Sequence, residues 1–173
     1  MTAPWPTMLW SQFEAAIYML DHAIADCPDD LWHASLWGEH SDRPDLSQFW
    51  YVSFHTLFWL DLYLSGSVEG FAPPPPFTLN ELDPAGVLPE RPYTKAELQT
   101  YLAYCRRKCQ TTLESLTDEA ANRRCTFPWM SINSFGELLI NTMRHVQEHG
   151  AQLRLFLGQQ RGIEAGWRAY TAS

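Results

Sequence analysis

Leu9, Phe13, Ala16, Ile17, Leu20 and Ile24 recur at intervals of three and four residues, which predicts a first helix over about 7–25 that stops at Cys27-Pro28-Asp29-Asp30. A second apolar run begins after Pro44, with Asp45 read as its N-cap and Gln48 three residues on, and continues to Leu64 before Ser65-Gly66. That run is rich in β-branched and aromatic residues, but its length favours a buried helix over a strand. Thr94-Lys95-Ala96-Glu97 is a capping box, and Leu98, Tyr101, Leu102, Cys105, Cys109, Leu113 and Leu116 follow it at helical spacing. Ser134-Phe135-Gly136-Glu137 is a second such box, opening a helix expected to run to Leu157 with Gly158 as C-cap.

Between the second and third of these helices lies a stretch from about 66 to 93 that contains Pro73-Pro74-Pro75-Pro76, Pro84, Pro89 and Pro92. It can neither propagate a helix nor supply the donors of a central strand. A connection of that length within a compact domain reads as a crossover lying along a bundle, so the pattern predicts an all-α four-helix bundle in a single domain over 1–173. The second helix has a further apolar surface in Trp50, Phe54, Leu57, Leu60 and Leu64, which needs either a homodimer interface or cover from the crossover.

Composition narrows the classes of function. A hydrophobic fraction of 46% with eight Trp supports a substantial core. The net charge of -8 disfavours a nucleic-acid partner. No run approaches the roughly 20 apolar residues of a membrane span, and no basic segment followed by an apolar one opens the chain, so a cytoplasmic protein without a membrane partner is expected. Cys27, Cys105, Cys109 and Cys125 form no CxxC pair and read as reduced thiols, with Cys105 and Cys109 weighed as ligands but taken as core residues.

The histidines change the picture. His145 and His149 lie four residues apart, so on a helix their imidazoles stand one turn apart on one side and can chelate a single ion. Residue 146 is Val, so the HExxH motif of metalloproteases is absent. Both histidines fall inside the apolar arc of the fourth helix, where an unpaired ring nitrogen would cost about 1–3 kcal/mol. His55, mid-way along the second helix among Tyr51, Trp59 and Leu62, can supply the third imidazole of a tri-histidine site with an open position. Three neutral nitrogens suit Zn or Ni better than Mg or Ca. Each histidine taken alone reads more readily as a hydrogen-bonded core residue. His33 and His40 are expected to meet solvent, and His22 has no partner at ligand spacing.

The order of these motifs, His55 with downstream Trp59 and then His145-Val146-Gln147-Glu148-His149, resembles the DinB-like (DinB/YfiT) superfamily of bacterial metal-binding helical bundles, over about 9–157. The resemblance implies an up-down-down-up bundle, a metal-binding triad at His55, His145 and His149, Zn or Ni, and often a homodimer. It also implies thiol-transferase activity with low-molecular-weight thiols among the characterised members.

On this reading the ion lowers the pKa of a bound water or thiol, making a metal-dependent thiol transferase or hydrolase that acts on a small molecule. Asn141, Glu148 and Gln152 are the candidates to orient the ligands. The alternative is a non-catalytic bundle that is stapled by the metal or senses a ligand. A closed structural zinc site takes four protein ligands, and only three are visible.

Overall fold

A computed structural model describes residues 4–38, 42–164 and 166–170. Helix α1 spans Trp5–Asp26, α2 Phe49–Ser65, α3 Lys95–Glu114, α4 Asp118–Asn122 and α5 Phe135–Arg161. A two-stranded hairpin, β1 Cys125–Phe127 with β2 Met130–Ile132, sits between α4 and α5. The four long helices pack so that α1 and α2 each lie against both α3 and α5.

Local chemistry explains where the helices begin. Pro4 and Pro6 stand at the start of α1, where a missing N–H costs nothing because the first turn has no intrahelical acceptors. Thr94 caps α3 through its hydroxyl while the Glu97 carboxylate takes the Thr94 N–H, so the box is reciprocal. At α5 the Ser134 hydroxyl accepts from the Glu97-equivalent position, Glu137, but the Glu137 carboxylate reaches back one residue further, to the N–H of Asn133 at 3.0 Å.

Two predicted ends differ. Asp45 does not cap α2; it pairs with Arg43, and the helix starts after Gln48, which makes no side-chain cap. Gly158 stays helical, and α5 continues to Gly162, whose φ of 66° provides the left-handed cap that a glycine adopts without steric cost. Helix α4 and the hairpin were not expected from the sequence at all.

The core is one cluster joining Phe13 and Leu20 of α1, Phe54 and Leu57 of α2, Leu98 and Cys105 of α3, and Leu138 and Leu153 of α5. Burying such a side chain contributes about 1.5–3 kcal/mol, which holds α2 helical despite its aromatic and β-branched content. Of its 17 residues, 14 are buried, and the exceptions are His55, Trp59 and Ser65. The further apolar surface of α2 is covered within the chain: Phe77, from the Pro-rich segment, stacks on Phe54 at 6.0 Å, and Tyr93 lies 4.8 Å from the same ring. Asp61, fully buried on α2, takes the Tyr101 hydroxyl at 2.9 Å and the Lys108 ammonium at 2.6 Å, so its charge is compensated from α3. No helix among the described residues is long and apolar enough to cross a membrane.

Candidate metal centre

Helix α2 delivers His55 and α5 delivers His145 and His149 to one point. His145 Nε2 lies 3.2 Å from His55 Nε2 and 3.1 Å from His149 Nε2. One ligand atom from each of the three lies within 4.8 Å of the others, a grouping that could hold a metal ion. Nitrogens about 2.0–2.1 Å from a tetrahedral ion stand about 3.3–3.4 Å apart, so the spacing matches a shared centre closely.

The bonds on the far side of the rings decide which nitrogens face inward. His55 Nδ1 donates to the Glu81 carboxylate at 2.7 Å, and an ionised carboxylate only accepts, so the Nδ1 of His55 carries the proton and Nε2 presents its lone pair. His149 Nδ1 likewise donates to Gln152 Oε1 at 2.7 Å. Two lone pairs therefore converge on the Nε2 of His145, and a single N–H there could satisfy only one of them. A cation satisfies all three. The Nδ1 of His145 is buried without a hydrogen-bond partner among the described residues, so packing alone orients that ring on its outer side.

Burial favours the neutral form of the two α5 histidines. Burial, with the neighbouring His149 and His55 adding to it, pushes the His145 pKa down to about 3. Burial also lowers that of His149. For Glu81, burial would raise the pKa, but the hydrogen bonds from His55 first, then Tyr51 and Trp59, outweigh it and hold the carboxyl below its ordinary value. Trp59 donates its indole N–H to the same Glu81 oxygen at 2.8 Å. Glu81, with a side chain only 4% exposed, thus receives two donors on one oxygen.

Glu81 is the residue that sequence reasoning missed. It sits on a short 3-10 turn, Leu79–Leu82, inside the Pro-rich segment. Of the residues proposed to orient ligands, Gln152 contacts His149, Asn141 turns its amide toward the Met130 sulfur at 3.8 Å, and Glu148 is exposed. Cys105 and Cys109 are buried, burial raises both thiol pKa values, and neither joins the histidine group. His33 is exposed, His22 bonds the Tyr18 carbonyl of its own helix, and His40 lies outside the described residues.

The chain matches the family model of the DinB superfamily over residues 12–153, a span that begins in α1, takes in all three histidines and ends in α5. It belongs to the DinB superfamily. No protein of curated function and no solved structure matches it significantly. For this DinB-superfamily chain the histidine group is therefore read from its own geometry: three imidazoles, two of them oriented by acceptors, could hold one metal ion.

Proposed function

We propose that this protein is a metal-dependent enzyme acting on a small molecule, with His55, His145 and His149 holding one zinc or nickel ion. The convergence of three Nε2 atoms carries the reading, because the group contains three ligands where a closed structural zinc site takes four. An ion held there would leave a position for a water or thiol and lower its pKa.

The chain's own residues fix what surrounds that position. Glu81 and Gln152 hold the rings of His55 and His149 with their lone pairs inward. His55 is 31% exposed along its side chain, so the group is reached from solvent on the α2 side. All four cysteines are buried and free, and burial raises their pKa values, so a thiol nucleophile has to come from a low-molecular-weight thiol. That favours thiol transfer, with hydrolysis as the same site's other use. The contacts of α1 and α2 with both α3 and α5 support an up-down-down-up four-helix bundle with the Pro-rich segment as its crossover. A homodimer and a cytoplasmic setting belong to the same proposal.

The test is metal content together with turnover. Protein purified without an affinity tag should hold one ion per chain, and His149→Ala should lose both the ion and any conjugation of thiols to electrophiles. Stoichiometric metal in His149→Ala would contradict the ligand set. A fourth protein side chain on the ion would favour a non-catalytic, metal-stapled or ligand-sensing bundle.

A further inference from the structure

Helix α2 is buried everywhere except at His55, Trp59 and Ser65, so the histidine group opens beside Trp59. The Trp59 ring lies 6.1 Å from His55 and 5.3 Å, edge to face, from Trp129. Trp129 occupies the two-residue turn between β1 and β2, whose last pair is Phe127 with Met130. On the other side of the opening, Asn141 stands one turn before His145 on α5 and bonds the Met130 sulfur. The hairpin is thereby tied to both ligand-bearing helices within one turn of the ligands.

The turn residues themselves call for a reason. Two-residue hairpin turns favour Asn and Gly, whereas this one is Pro128-Trp129, and no described residue other than glycine has a positive φ. A tryptophan serving only as cover for α2 would be buried. Trp129 is 45% exposed, yet its indole N–H donates to the buried Tyr63 hydroxyl at 3.1 Å, which locks the ring in place with one side to solvent. Together, Trp59, Trp129 and Met130 present two indoles and a thioether next to the open side of the histidines. Such surfaces bind aromatic rings by offset or edge-on stacking and by sulfur–ring contact.

We propose that Trp59, Trp129 and Met130 form the wall of a substrate pocket that receives an aromatic ring, while a donor atom of the same small molecule reaches the ion held by His55, His145 and His149. This rests on the reading of the triad as an open metal site and names the substrate class for it. Trp129 acts here as a specificity-determining residue. It lies outside the ligand set, so its replacement leaves metal binding intact.

Benzohydroxamic acid and acetohydroxamic acid test the proposal, because they share a metal-chelating head and differ by a phenyl ring against a methyl. Calorimetric titration of the zinc-loaded protein should show benzohydroxamate binding roughly tenfold more tightly, a ratio that Trp129→Phe keeps and Trp129→Ala abolishes, with zinc content unchanged in both variants. Equal affinity of the two acids for the parent protein would overturn the wall, whatever the variants do. So would a ratio that survives in zinc-replete Trp129→Ala. Stoichiometric zinc with no binding of either acid would instead overturn the open-site reading beneath it.

Discussion

A neutral imidazole has one N–H and one lone pair, and at His55 the buried carboxylate of Glu81 settles which nitrogen has which. Trp59 supplies a second donor to the same oxygen, and the His55 hydrogen bond first, with those of Tyr51 and Trp59 after it, keeps the Glu81 pKa below its ordinary value although burial alone would raise it. Partners of this kind orient a ligand ring and raise its basicity, and their loss costs about 10–100-fold in metal affinity. Glu81→Ala should therefore weaken zinc binding by about that factor in competition with a chromophoric chelator, and Glu81→Gln, which keeps an acceptor, should fall between it and the parent. Parental affinity in Glu81→Ala would remove Glu81 from the site. The three histidines that come together were legible because histidine is rare on an apolar helix stripe and the pair on α5 sits at i, i+4. Glu81 was not: it is 26 residues from His55, in a segment with no periodicity, and only tertiary packing brings the two together.

At the scale of elements, ends and short pieces were hardest to read. The cap of α3 was clear from Thr94 and Glu97 because both halves of a box lie within four residues. Asp45 has the right chemistry for a cap, but Arg43 two residues away takes its carboxylate at 2.7 Å. Gly158 was an acceptable C-cap, and Gly162 an equally acceptable one four residues later; packing of Leu153, Phe156 and Leu157 against the core carries α5 past the first. The five residues of α4 are too few to show a 3.6-residue period, and a hairpin with three-residue strands and a Pro-Trp turn carries none of the usual signature. The α3 cap also has a pH dependence. The Arg91 hydrogen bond first, then those from Thr94, lower the Glu97 pKa from 4.5 to about 2 against the effect of burial. Between those values the unfolded chain binds more protons than the folded one, so this stabilisation is complete above about 4.5 and is lost as pH falls toward 2. Glu97→Gln should flatten the fall in denaturant midpoint across that interval, most visibly at low salt; an unchanged slope would contradict the cap's contribution.

For the molecule as a whole, the histidine group joins parts that the chain keeps far apart. His55 belongs to α2, His145 and His149 to α5, and Glu81 to the segment between α2 and α3, so an ion bound at the triad bears on three elements at once. The helical class was legible from periodicity, since α1, α2, α3 and α5 each bury a recurrent apolar set. The apolar surface of α2 that suggested a partner is met inside the chain by Phe77 and Tyr93, a contact no helical pattern reveals because Phe77 lies among prolines. The most direct measurement is X-ray absorption at the zinc edge on untagged protein loaded with one equivalent of zinc. Three imidazole nitrogens at about 2.0–2.1 Å with one further light atom is the predicted shell. A sulfur shell at about 2.3 Å, or failure to retain zinc at one per chain, would contradict the account.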